Sequence, residues 1–252
     1  MSGLRHAGHV PETFFDEWIA KRYQMLWPEL YEPDLLDAAV DFLADAAGPG
    51  PVLEFGIGTG RLGLPLSRRG IRVAGIELSQ AMATQLRLQE AASDIDVIVG
   101  DFATAQVGET FTLVYLVRNT ITNLTTQDEQ VECFRNAAVH LKPGGLFVIE
   151  NYIPELRRLP SEEKMHVFNA TPTHIGVEEY DVVNQIGISR HWWIIEDQLK
   201  TLSSSHRYVW PSELDLMARI AGMTLRERWS DWRRGPFTGE SRSHISVWET
   251  PA

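Results

Sequence analysis

A chain of 252 residues, 44% hydrophobic and 23% charged, has an ordinary globular composition and can bury one sizeable core. Its single cysteine, Cys133, excludes an internal disulfide and is expected as a small core residue. The start (1–10) lacks a secretory pattern, no apolar stretch approaches the roughly 18 residues that cross a bilayer, and the net charge of -11 opposes general attraction to nucleic acid or anionic lipid; a cytoplasmic protein with a small-molecule partner is expected.

In chain order, residues 1–50 read as amphipathic helices, with Phe14, Phe15, Trp18 and Ile19 on one face. From residue 51 short β-rich runs alternate with helical ones, the pattern of a parallel sheet wrapped by helices. The runs 52–55, 71–76, 95–99, 111–117 and 146–150 are rich in Val, Ile, Leu and Phe, as strands covered on both faces should be. A helix is expected over 60–69, with Pro65 tolerated only near its start and Gly70 as its stop. The clearest helix spans 126–141. Thr126 and Glu129 form its capping box, Val131, Phe134, Ala138 and Leu141 its apolar stripe, and Lys142-Pro143-Gly144-Gly145 ends it.

After Glu150 the pattern changes to strands in succession. Residues 164–210 read as an antiparallel insertion, in which Ile186, Ile188, Trp192 and Ile194 share one side and Glu196-Asp197-Gln198 makes a turn. A helix over 211–221 follows, with Gly222 past its end. Strands near 223–229 and 244–248 then close the sheet as an antiparallel pair.

The chemistry is carried by strand ends. Strand one runs into Glu54-Phe55-Gly56-Ile57-Gly58-Thr59-Gly60, a loop whose glycines accept φ > 0 and let a ligand approach the backbone. Strand two ends in Gly75-Ile76-Glu77-Leu78, placing a carboxylate 21 positions after Gly56, where it can accept both hydroxyl protons of a ribose. Strand three ends in Gly100-Asp101-Phe102, a side-chain acceptor for an exocyclic adenine amine beside a ring that can pack on the base. Three strand ends thus describe one nucleoside.

These residues resemble the class I S-adenosylmethionine-dependent methyltransferases over residues 50–150. The family pattern is an acid, a Gly-x-Gly-x-Gly loop, acids ending strands two and three, and a Pro-Gly-Gly turn before strand five, all present here in order. The resemblance implies an α/β, Rossmann-like seven-stranded sheet. It implies that Gly56, Gly58 and Gly60 line the methionine portion, Glu77 holds the ribose, and Asp101 with Phe102 holds adenine. Glu54 would anchor the loop and, directly or through water, the methionine ammonium; Leu78, Met82 and Val117 join the cofactor set. An N-terminal helical cover and a β insertion before the last helix make the architecture similar to deoxysugar N,N-dimethyltransferases. On that likeness Tyr23 and Tyr31 are lid candidates, with Tyr23 favoured for the cofactor and for catalysis. A single domain over 1–252 is expected, divided into the cover (1–50), the cofactor core (51–159), the insertion (160–210) and the closing elements (211–252).

Two other readings compete. Gly58-Thr59-Gly60-Arg61-Leu62-Gly63 satisfies the dinucleotide fingerprint of a nicotinamide-dependent oxidoreductase, but that leaves Glu54, Asp101-Phe102 and the Pro-Gly-Gly turn unexplained. A catalytically inactive cofactor-binding module is the second, against which the aromatic-rich insertion speaks. Nucleic-acid methylation is disfavoured because Val117-Arg118-Asn119-Thr120 lacks the Asn/Asp-Pro-Pro-aromatic signature, and Arg226, Arg228, Arg233 and Arg234 are interleaved with Glu227 and Asp231. The expected reaction moves a methyl group from S-adenosylmethionine to an N, O or C nucleophile of a small molecule, without a metal. The expected partners are that acceptor and, in a homodimer, a second copy of the chain, with neither nucleic acid nor membrane.

For the acceptor, Tyr152 follows strand five at the sheet edge where such folds bind ligands, and Trp193, His206 and Tyr208 lie on the insertion. His191 is the candidate base, needed if the acceptor is a hydroxyl and dispensable for an amine that arrives neutral. A three-residue loop centred on Asp197 would put His191 and His206 on opposite faces; a one-residue slip would put them on the same face.

Overall fold

The computed structural model describes residues 15–89, 92, 94–160 and 162–252, so Phe14 lies outside it. The expected strands form as β1 (Val52–Phe55), β2 (Val73–Glu77), β3 (Asp96–Val99), β4 (Phe111–Leu116) and β5 (Leu141–Tyr152). The insertion supplies β6 (Met165–Thr171), β7 (His174–Asp181), β8 (Ile186–Ile195) and β9 (Gln198–Arg207), and the chain closes with β10 (Thr224–Trp229) and β11 (Ser243–Glu249). Seven strands make one sheet in the order β10-β11-β5-β4-β1-β2-β3, and β6-β7-β8-β9 make a second. Strands β1 to β5 run parallel, while β11 lies antiparallel between β5 and β10. The architecture is therefore the seven-stranded α/β one anticipated, with its reversed strand inserted beside β5.

Alternation along the strands explains why both faces of the large sheet are buried. In β4, Leu113 and Tyr115 join Val52, Val73 and Val148 against Phe42 and Leu43 of α3 (Pro33–Ala47) and Leu64 and Leu66 of α4 (Gly63–Arg68). Val114 and Leu116 point the other way, with Leu53, Phe55 and Phe147, onto Phe134 of α6 (Gln127–His140) and Leu214 of α7 (Pro211–Ile220). The remaining helices are α1 (Glu17–Ala20), α2 (Tyr23–Leu26) and α5 (Gln80–Arg87), with a 3-10 turn at Pro28–Tyr31. Among the described residues no helix is long and apolar enough to cross a membrane.

Boundaries depart from expectation where a backbone angle intervenes. Helix α4 starts at Gly63 and not at Gly60, because Gly60 sits at φ 84 and a left-handed residue cannot open a right-handed helix. Helix α6 has the capping box anticipated at Thr126 and Glu129, but Leu141 already has extended angles, so β5 follows it without a gap. The Gly145 carbonyl there accepts the Thr250 N–H at 3.0 Å, holding the Pro-Gly-Gly turn to the chain's end.

The β8–β9 turn is tighter than a loop centred on Asp197. Ile195 pairs directly with Gln198, leaving Glu196 (φ 53) and Asp197 (φ 58) as a two-residue type I′-like turn. The resulting register sets Gly187 opposite His206, so His191 and His206 share a face. That face is not the one carrying Ile186, Ile188, Trp192 and Ile194, of which Ile194 is half exposed; it is the opposite one, turned toward the strand ends of the large sheet.

Arg207, buried at the end of β9, fastens the second sheet to the first. Its guanidinium donates to Gln130 Oε1 of α6 at 2.5 Å, Gln185 Oε1 at 2.9 Å and Glu213 Oε1 of α7 at 2.6 Å. Truncating one partner of a buried pair leaves the other charge unpaired. Arg207→Ala is therefore expected to destabilise the fold by about 3–5 kcal/mol, measured by urea denaturation; a loss below about 1 kcal/mol would mean that the guanidinium is not what holds the sheets together.

Candidate active site

A cavity of about 660 Å³ opens where β1, β2 and β4 end, roofed by the N-terminal segment and the second sheet. Its floor is the glycine loop. Gly56 (φ 69) and Gly58 (φ 58) are left-handed, which keeps the loop backbone bare toward the cavity. Gly60 does not line the cavity as expected; its Cα faces Leu64 and Leu86, and a side chain there would collide with both. Its role is close packing of the loop on α4 and α5.

Glu77 shapes this loop. Its Oε2 accepts the Gly58 N–H at 2.8 Å and its Oε1 the Ser79 N–H at 2.7 Å. Burial raises its pKa, and the two backbone donors pull against that rise. Each carboxylate oxygen keeps a free lone pair, so the group retains capacity for ribose hydroxyls. Glu54, 3% exposed, accepts the Tyr115 hydroxyl at 2.8 Å. Burial pushes its pKa up to about 8, opposed by Tyr115 and by the charge of Arg61. A cation arriving beside it, such as an amino-acid ammonium, would favour the ionised form.

At the end of β3, Asp101 Oδ1 accepts the Ala103 N–H at 2.8 Å, and Phe102 stacks on Phe55 with centroids 5.8 Å apart. Leu78, Met82, Val117 and Tyr23 complete the wall on this side. Tyr23 packs on Trp27 at 4.9 Å, and burial raises its hydroxyl pKa. Tyr31 is not part of the wall; its hydroxyl lies 3.3 Å from Thr59 Oγ1 and steadies the loop from outside. Arg118 (φ 55) and Asn119 (φ 59), past β4, are consecutive left-handed residues, held by Arg118 N–H to Glu150 and by Tyr152 N–H to Asn119 Oδ1, each at 2.8 Å.

The opposite half of the cavity is built from the second sheet. Tyr152, His191 and His206 line it as expected. Trp193 and Tyr208 do not. Trp193 is buried against Ile19 and Leu26 and stacks on His191 at 4.7 Å, while Tyr208 packs edge-on to Tyr180 at 5.6 Å. Both are packing residues, because Trp193 lies beneath the N-terminal helices and Tyr208 lies past the end of β9. Sequence reading missed Glu178, Ser189, His166 and His174, which face the cavity from β6 to β8. The only available signal was strand alternation, and that required knowing which face is covered.

A glycine loop, an acid at each of three strand ends and a cavity that continues onto a second sheet define a nucleoside-cofactor transferase of the class I methyltransferase type. Residues 52–145 match the model of the family described as a methyltransferase domain. The structure superimposes on the CcbJ methyltransferase of Streptomyces caelestis with a TM-score of 0.84 and 33% identity, covering 95% of this chain and 99% of that one. The chain is also 28% identical over 206 residues to the cypemycin N-terminal methyltransferase of a Streptomyces species, covering 79% of this chain and 82% of that protein. A stretch of 79 residues is 34% identical to a dTDP-4-amino-2,3,4,6-tetradeoxy-D-glucose N,N-dimethyltransferase of Saccharopolyspora spinosa, 31% of either chain. The chain belongs to the methyltransferase family, and it is an S-adenosylmethionine-dependent enzyme.

The elevated pKa of Glu54 has a stability consequence. The unfolded chain titrates it near 4.5 and the folded protein near 8, so between these values the folded state binds more protons and its stability falls as pH rises. Above the folded pKa the penalty is complete. Glu54→Gln, neutral throughout, should be increasingly more stable than the parent as pH is raised from about 5 to 8, read by thermal denaturation without ligand. Parallel melting curves for the two proteins would show that Glu54 is not buried in this way.

Proposed function

We propose that the enzyme methylates an amine nitrogen of a small molecule. The observation that carries this reading is the half of the cavity opposite the glycine loop, lined by carboxylate, hydroxyl and imidazole groups of the second sheet. Its support from relatives is that one protein above is named an N-terminal methyltransferase and the other an N,N-dimethyltransferase of a 4-amino sugar nucleotide.

Bound S-adenosylmethionine supplies a methyl group already activated by its sulfonium. In this proposal Gly56 and Gly58 lie along the methionine portion, Glu54 answers its ammonium, Glu77 takes the ribose, and Asp101 with Phe102 takes adenine. Leu78, Met82 and Val117 exclude water around the nucleoside, and Tyr23 covers the reacting centre. The protein's task is then to align a lone pair with the methyl group, and proximity supplies much of the rate. Tyr152, His191 and His206 contact the acceptor. The same reading has residues 52–145 serving the cofactor and the cover and insertion serving the acceptor, within one cytoplasmic domain. A small acceptor in place of nucleic acid belongs to the same reading, supported by the pairing of arginines at the cavity mouth, Arg118 with Glu29 and Arg242 with Glu155, each at 3.9 Å.

Calorimetry should give micromolar binding of S-adenosylhomocysteine and much weaker binding of NADH; the reverse order would remove the cofactor assignment. A screen of primary and secondary amines against matched alcohols, following S-adenosylhomocysteine release, should return an amine. Turnover confined to alcohols would refute N-methylation while leaving the cofactor assignment intact.

A further inference from the structure

Three residues from successive strands meet at one spot on the cavity-facing side of the second sheet. Register sets Ser189 of β8 opposite Glu178 of β7, and Gly187 of β8 opposite His206 of β9. Glu178 is 7% exposed. Its Oε2 accepts the Ser189 hydroxyl at 2.6 Å, and its Oε1 lies 2.8 Å from His206 Nε2, with the imidazole turned off the straight hydrogen-bond line so that this oxygen has no aligned donor. His206 lines the cavity, and its Nδ1 has no hydrogen-bond partner among the described residues. Gly187 makes the contact possible, because a Cβ at that position would overlap both His206 Nε2 and Glu178 Oε1.

Resting on the reading that the acceptor is an amine, we propose that His206 takes the acceptor's proton at Nδ1, with Glu178 as the positioning residue behind it. An aliphatic amine of ordinary basicity, with a pKa near that of lysine at about 10.4, arrives as an ammonium ion without a lone pair. One N–H bond of that ion breaks, its proton passes to His206 Nδ1, and the electron pair stays on nitrogen, ready for methyl transfer. The imidazolium that results faces Glu178 Oε1, 2.8 Å from Nε2, and the nearby carboxylate charge favours both a resting proton on Nε2 and the protonated ring. Ser189 in turn fixes the carboxylate.

The other cavity histidine is differently placed. His191 Nδ1 lies 2.9 Å from His174 Nε2, and the rings of His191, His174 and Trp193 lie nearly parallel with every pair of centroids within 5.2 Å. Burial, then the neighbouring His174, brings its pKa down to about 4, only partly opposed by Glu178. His191 thus serves as a neutral hydrogen-bonding wall, and the base anticipated at that position moves to His206.

The test reads tautomers directly, by long-range ¹⁵N–¹H correlation of the histidine rings in the S-adenosylhomocysteine complex at mildly alkaline pH. His206 should carry its proton on Nε2 and have a bare Nδ1. A proton on Nδ1, or on both nitrogens, overturns the proposal. Glu178→Gln removes the carboxylate and Gly187→Ala forces the pair apart with its charge intact; each should shift the His206 proton toward Nδ1, and a tautomer unmoved in both overturns the role of Glu178. Should one variant not fold, the other decides. With a primary-amine acceptor, His206→Gln should lower kcat about 100-fold or more with KM and S-adenosylhomocysteine affinity within about threefold, and His191→Gln should cost less than His206→Gln. The opposite ranking returns the proton to His191. Failure of the unsubstituted protein to bind S-adenosylhomocysteine would instead count against the cofactor reading itself.

Discussion

Two backbone N–H groups, of Gly58 and Ser79, converge on the single carboxylate of Glu77, and the rest of the site is arranged around that convergence. The first belongs to the loop after β1, the second to the N-cap of α5, and Glu77 itself ends β2. One buried acid thereby sets the distance between two strand ends and a helix start. Ser79 extends the arrangement, since its hydroxyl accepts the Met82 N–H and donates to the Phe15 carbonyl, which draws the N-terminal segment over the cavity. The Glu77 carbonyl also accepts the Gly100 N–H, so the Asp101-Phe102 corner is referenced to the same point. Hydrogen bonds to a charged acceptor are the strong kind, which is why a buried carboxylate can serve as the organiser here.

That half of the molecule was legible because its signals are local. Gly56 and Gly58 are glycines for a backbone reason, Thr126 and Glu129 cap a helix within one turn, and the apolar runs need both faces covered whatever covers them. The misplaced start of α4 came from treating Gly60 as a helix opener when its left-handed angle and the crowding of Leu64 and Leu86 make it a packing residue. The insertion was legible as strands but not as a site. Its side with the more regular apolar pattern, Ile186 to Ile194, is the outer one, and the working side is a mixture of Gly187, Ser189, His191 and Trp193 whose purpose depends on what lies opposite. Register there hangs on Glu196-Asp197, a pair without the Asn-Gly or Asp-Gly signal that marks a two-residue turn.

In the proposed function the two sheets divide the chemistry because they would solve different problems. A cofactor of fixed structure would be met by strand ends that a parallel sheet places in register, and the acceptor by a separate sheet whose inward face can change without disturbing the first. Arg207 with Gln130, Gln185 and Glu213 is the joint that keeps that second face at a constant height above the loop. The space beside Gly187 is taken by His206 and Glu178, and that beside Gly176 on β7 by the ring of Phe168.

The measurement that bears most directly on this account is calorimetric titration of Glu77→Ala with S-adenosylhomocysteine, beside its thermal denaturation. Loss of the organising acceptor should weaken binding by about 2–4 kcal/mol while the folded protein persists, since the seven-stranded core does not depend on that side chain for packing. Unchanged affinity in a folded Glu77→Ala protein would contradict the account, for it would mean that neither the loop's shape nor the cofactor's hold depends on this carboxylate.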